Sequence, residues 1–163
     1  MKRVGFQGGS SIFELGIASD MVCFFSVIRE KVELSGSDLL ILDRLFRRYL
    51  RLEDLMEATI FMLRSQDCLS GIPNRVIELE SLGWRSDNSF LDMACSNYAE
   101  VFIKYFDGFE YCVESAKGFY EDWGVYKPVR TIVCDMPGYM VEKLRLLDEY
   151  DNLGPNDLPF WLR

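Results

Sequence analysis

The chain contains no histidine. That removes the side chain most used as a general base near neutral pH, the commonest metal ligand, and the usual activator of a serine or cysteine nucleophile. A zinc site would have to be assembled from scattered Cys, Asp and Glu, and these show no ligand-pair spacing. The five cysteines (Cys23, Cys68, Cys95, Cys112 and Cys134) are odd in number, widely spread and never in a CxxC pair. They lie within apolar runs, which points to reduced, buried thiols in a reducing compartment. An uninterrupted apolar run of about 20 residues, as a membrane-spanning helix needs, is also missing. Glu14 and Asp20 break the apolar N-terminal stretch, and no small-residue cleavage site follows it convincingly, so a signal peptide is not expected either. The expected location is cytoplasmic. Gly5-Phe6-Gln7-Gly8-Gly9-Ser10 lacks the lysine of a P-loop and the GxGxxG order of a dinucleotide site, and reads as part of a loose N-terminal arm over residues 1–10.

Positive charge is scarce as well. The chain has 18 basic and 26 acidic residues, a net charge of −8. The deficit is uneven: residues 1–81 carry 10 basic and 12 acidic side chains, residues 82–163 carry 8 and 14. Phosphate backbones and anionic membrane surfaces repel such a chain, whereas a basic protein attracts it. One cationic constellation stands against this trend. Arg44, Arg47, Arg48 and Arg51 recur at helical spacing, either as a phosphate or RNA contact or as a face that is simply solvated or pairs with carboxylates of a neighbouring helix. The absence of aromatic–basic interleaving and the net charge favour the second of these readings. The adjacent acids Glu53-Asp54, Glu121-Asp122 and Asp148-Glu149 sit near expected helix ends, where such residues ordinarily complement the helix dipole.

What is present is apolar bulk. Hydrophobic residues make up 49% and aromatics 14% of 163 residues, enough for one domain to build a core without metal or disulfides. Ser11-Ile12-Phe13-Glu14 has capping-box spacing and predicts a helix to about Glu33, central because Met21-Val22-Cys23-Phe24-Phe25 is apolar nearly all round. Ser35-Gly36-Ser37 breaks the chain before a helix over about Asp38–Leu50. After a bend, a third runs over about Glu53–Ser65, and a short amphipathic piece follows at Arg75–Leu82. Lys127-Pro128 stops helix, and Thr131-Ile132-Val133-Cys134 suits a short strand. A last helix is expected over Tyr139–Tyr150. The tail from Gly154 to Arg163 carries Phe160, Trp161 and Leu162, and is expected to dock on the body, with a partner anchor as the other possibility. The fold class is mainly α, a single-domain bundle of about six helices over 1–163 with a short β element near 130–134.

Asn88–Trp123 separates into two faces on a helical wheel. Tyr98, Val101, Phe102, Tyr105, Phe109, Cys112, Val113, Ala116, Phe119, Tyr120 and Trp123 fall together. Glu100, Asp107, Glu110, Glu114 and Glu121 fall opposite. Asp107-Gly108 is a hairpin signal, but the helical phase continues through it, so Gly108 reads as a kink or a tight helix–helix junction, with a hairpin turn as the alternative. Ile103 and Tyr111 map among the acids, either as aliphatic and aromatic anchors inside a charged rim or as residues that another helix or the C-terminal tail covers. Asp148, Glu149, Tyr150 and Asp151 extend the acidic character, and Trp161 is a third apolar anchor candidate.

Small size, acidity and missing catalytic equipment, together with the Glu100–Glu121 face and the Asp148–Asp151 cluster, make the chain resemble the immunity proteins of bacterial polymorphic-toxin systems such as contact-dependent growth inhibition. The likeness lies in character and not in a shared motif, and many such proteins are α/β. It implies a non-enzymatic protein without cofactor or metal, which binds a cognate basic toxin, frequently a nuclease, and covers its active site. No direct nucleic-acid or membrane partner is expected. A chaperone or adaptor for an exported effector is the alternative, and an enzyme working by carboxylates alone a distant third.

Overall fold

The computed structural model describes residues 2–85, 89–134, 153–154 and 156–162. The glycine-rich start is a strand. β1 (Arg3–Gly8) pairs with β2 (Ser11–Ile17) on one side and with β3 (Arg130–Val133) on the other, all antiparallel, in the order β2-β1-β3. Gly8 and Ser11 are register partners, so Gly9-Ser10 forms a two-residue hairpin loop. Gly9 sits at φ 57°, the left-handed region that such loops demand and that glycine enters freely. The expectation of a loose arm over 1–10 is therefore wrong: this segment supplies the central strand.

The first helix starts later than its capping-box spacing suggested. Glu14 lies in β2 and forms a cross-strand ion pair with Arg3 at 3.1 Å instead of closing a box on Ser11. α1 (Ala18–Lys31) begins after β2 ends. α2 (Gly36–Arg47) opens on a true capping box: the Ser35 hydroxyl accepts from the Asp38 amide at 3.2 Å, and the Asp38 carboxylate accepts from the Ser35 amide at 2.9 Å. A short 3-10 turn over Leu52–Asp54 makes the expected bend before α3 (Leu55–Ser70). Then come α4 (Val76–Ser81), α5 (Ser89–Ala94), α6 (Tyr98–Val101) and α7 (Ile103–Trp123). Mainly α is correct; a pure bundle is not, because the antiparallel sheet is built into the core. The helix expected over Tyr139–Tyr150 lies outside the described residues.

The sheet face bearing Phe6 and Thr131 packs on helices. The Phe6 ring meets Phe109 of α7 nearly edge-on at 6.0 Å, and the Thr131 hydroxyl donates to the Leu45 carbonyl of α2 at 2.9 Å. α1 is central, as its apolar girth demands. The Phe24 ring lies 4.9–5.5 Å from those of Phe25, Phe102, Tyr105 and Phe106. Between strands, Arg130 is buried and its Nε donates to Gln7 Oε1 at 2.9 Å, which keeps a guanidinium hydrogen-bonded inside the fold.

The tail docks. Trp161 is fully buried, its ring 5.3 Å from Phe46 and its indole N–H donating to the Phe46 carbonyl at 2.9 Å. The arginine stripe serves the same end. Arg47 and Arg48 donate to the carbonyls of Gly154 and Leu153 at 3.0 and 2.9 Å, while Arg44 and Arg51 pair with Asp54 at 2.7 and 3.3 Å. Those four guanidiniums bind the chain to itself: Arg44 and Arg51 through a carboxylate, Arg47 and Arg48 through carbonyls of the tail, which the sequence reading did not foresee.

Candidate protein-binding surface

α7 is held along two flanks, and that sets which of its residues face solvent. On the β2 flank, Lys104 donates to the Leu15 carbonyl at 3.1 Å and Ser115 to the Ser11 hydroxyl at 2.8 Å. Gly108 belongs here. A Cβ at this position would lie 2.7 Å from Cδ1 of Phe13, so glycine lets the helix settle onto the β2 ring. Gly108 is thus neither a hairpin turn nor a junction between helices; it lies within α7. On the other flank, Phe106, Phe109 and Val113 face Thr59, Met62, Leu63 and Gln66 of α3, which runs antiparallel to α7.

Between the flanks runs an exposed ridge. Asp107, Glu110, Glu114 and Glu121 lie along it, with Glu100 of α6 and Ile103 at its start. Glu114 approaches Lys117 at 4.0 Å, and Glu100 accepts from the Ser96 amide at 2.7 Å. Among the described residues, Asp107, Glu110 and Glu121 have no ion-pair or hydrogen-bond partner. The ridge also holds like charges at i,i+3 (Asp107, Glu110) and i,i+4 (Glu110, Glu114). Each such pair costs an isolated helix about 0.2–0.5 kcal/mol, a penalty that an approaching cation reverses.

The sequence-derived site residues divide accordingly. Glu100, Ile103, Asp107, Glu110, Glu114 and Glu121 come together on the ridge. Tyr111 is exposed beside it but leans toward β2, its ring 5.9 Å from Phe13. Trp161 is no surface anchor, because it is spent on the core against Phe46. Asp148, Glu149, Tyr150 and Asp151 lie outside the described residues. The apolar assignment of Tyr120 and Trp123 needs correction: both are exposed. The β1–β2 hairpin tip ends against Ser115, so the last two turns or so of α7 continue past the strands that bury its earlier apolar face. There Phe119 and Trp123 pack on each other at 6.3 Å, with the Lys127 ammonium 4.6 Å from the centre of the Phe119 ring.

Sequence reasoning placed the third helix but missed the exposed apolar side of α3. Met56, Ile60 and Leu63 are 74, 60 and 58% exposed and stand at i, i+4, i+7, a continuous apolar stripe beside the acidic ridge. The signal was there: Leu55, Met56, Ile60, Phe61, Met62 and Leu63 are more apolar than one buried face requires. An open groove of about 540 Å³ lies at the Ser70 end of α3, lined by Leu63, Gln66 and Asp67 of α3, Ala99 and Glu100 of α6 and Ile103 at the start of α7.

Reactive chemistry is not favoured at the buried thiols. Burial pushes Cys23 and Cys112 up to about 12, which keeps both protonated at neutral pH and weakly nucleophilic. Among the described residues no three of Cys, Asp or Glu cluster as metal ligands would, and no helix is long and apolar enough to cross a membrane. No protein-family model matches the chain, and neither does a curated protein or a solved structure.

Proposed function

We propose that this chain is a cytoplasmic, non-enzymatic binding protein that neutralises a basic partner by laying the α7 ridge over a cationic surface. The observation that carries this reading is the set of exposed carboxylates on α7, of which Asp107, Glu110 and Glu121 lack a partner among the described residues. A toxin domain that acts on a polyanion has the complementary surface, since the groove that holds phosphates is itself cationic. A nuclease toxin, countered by an immunity protein of the polymorphic-toxin kind, fits best. Carboxylates of the ridge then take the places of substrate phosphates, and charge attraction speeds encounter at low salt. Ile103 and Tyr111 contribute apolar contact beside the acids.

Tagged protein used as bait in lysate of the source cell, at low and at high salt, tests this. One basic protein should be recovered, less of it at high salt, and Glu110→Lys with Glu114→Lys should slow its association at low salt while leaving thermal stability nearly unchanged. An association rate indifferent to the two reversals sinks the assignment of this face. The exposed Met56, Ile60 and Leu63 stripe supports a second reading, a chaperone or adaptor for exported effectors, because such proteins need apolar surface open to clients. Recovery of several effector clients or of an export component selects it.

A further inference from the structure

We infer that the surface between α3 and α7 takes an amphipathic helix of the partner, with its apolar face on Met56, Ile60, Leu63 and Ile103 and its Lys/Arg flank on Glu110 and Glu114. This rests on the reading of the ridge as a partner-binding face and adds the shape and chemistry of what binds. α3 and α7 lie side by side, Leu63 and Gln66 of one lining the same seam as Phe106, Phe109 and Glu110 of the other, and the seam opens into the groove toward Ser70. The i, i+4, i+7 spacing of Met56, Ile60 and Leu63 is the alternating four–three step by which one helix presents an apolar seam to another. Backbones of α3 and α7 are hydrogen-bonded within themselves and offer no strand edge, so an extended peptide would gain no main-chain ladder here. α3 has 16 residues, about 24 Å, which sets the match at several turns of partner helix.

Charge decides the flank. Glu110 and Glu114 border the stripe from α7, and Glu57 and Asp67 are exposed on α3 itself. Of the nearby cations, Arg64 is paired with Asp38 and Lys117 lies beside Glu114. A helix with basic residues beside its apolar face meets opposite charge on both walls. A second copy of this chain, net −8 and acidic along this surface, would set like charges against each other.

The probe is a labelled synthetic peptide of about 18 residues made of Leu and Lys, with Leu confined to one helical face, the pattern of helix-in-groove ligands. Its comparison has the same composition with Leu and Lys scrambled. Binding is read by fluorescence anisotropy at about 150 mM salt, where exposed charges are screened beyond about 8 Å. The segregated peptide should bind about tenfold more tightly than the scrambled one, and Ile60→Gln with Leu63→Gln should remove most of that advantage. Both residues are exposed, so the variant should keep its fold, checked by circular dichroism. Absence of binding by the segregated peptide overturns the inference. So does equal binding of both peptides, or an unchanged affinity of the Gln variant. If both peptides bind equally and Glu110→Lys with Glu114→Lys weakens both, the acidic-face reading stands and the helix-groove inference falls. A dimer in sedimentation that the Gln variant dissociates also overturns it, and assigns the stripe to a second copy.

Discussion

Phe109 and Tyr111 are two residues apart on α7, and truncating each to alanine should have very different consequences. Phe109 is 2% exposed, wedged between Phe6 of the sheet at 6.0 Å and the α3 side chains around Met62. Removing its ring leaves a cavity that the sheet and α3, both fixed by other contacts, cannot close. Phe→Ala at such a site costs about 3–5 kcal/mol. With a urea dependence of about 2 kcal/mol per molar, the unfolding midpoint should fall by about 1.5–2.5 M. Tyr111 is 55% exposed and makes one ring contact, to Phe13 at 5.9 Å. An exposed aromatic pair of this kind contributes at most about 1 kcal/mol, so Tyr111→Ala should move the midpoint by less than about 0.5 M. Equal shifts for the two variants, or a shift under about 0.5 M for Phe109→Ala, would mean that the rotational setting of α7 is wrong, and with it the placement of the acidic ridge.

Trp161→Ala should cost about 3–5 kcal/mol in the same urea assay, because it empties a buried site and leaves the Phe46 carbonyl without its indole donor; a negligible change would show that the tail is not part of the core. Stability should also depend on acid. Lys31 at 2.6 Å and the Tyr98 hydroxyl at 3.0 Å both bind the Glu78 carboxylate, and hold it below its usual 4.5. Burial alone would raise Asp38, but the Ser35 amide and Arg64 outweigh it and hold Asp38 below its usual 3.8. A carboxylate bound more tightly as the anion stabilises the fold above its ordinary value and loses that contribution as pH falls through its folded value. The urea midpoint should therefore decline below about pH 4.5, and Glu78→Gln should flatten part of that decline; an unaltered acid profile would count against the Lys31–Glu78–Tyr98 contact.

The sequence was most legible where a residue's fate depends on close neighbours. The Ser35 cap, the bend before α3 and the apolar side of α6 and α7 from Tyr98 to Ala116 all follow from spacing within a few turns of chain. The sheet was not legible in the same way. β1 is short and rich in glycine, and its partners in β3 lie more than a hundred residues away, as in the Gln7–Arg130 pair. Local signals at Ser11–Glu14 pointed to a helix because a capping-box spacing carries no information about a strand waiting elsewhere in the chain. The site divides in the same fashion: the acids of the ridge share one face by helical period alone, whereas the α3 stripe became part of the surface only when α3 settled antiparallel beside them.

By itself, the sequence determined that the chain is mainly helical and acidic, that histidine chemistry is closed to it, and that α7 separates carboxylates from its core side. Only the tertiary structure decided that residues 3–8 form a central strand, that Trp161 is spent on Phe46 instead of a partner, and that Tyr120 and Trp123 reach solvent. The physical reason is that helical periodicity says which residues share a face, while burial depends on what other part of the chain arrives to cover it. On α7 the β1–β2 hairpin covers the apolar face only as far as Ser115, and the same kinds of side chain beyond that point remain exposed.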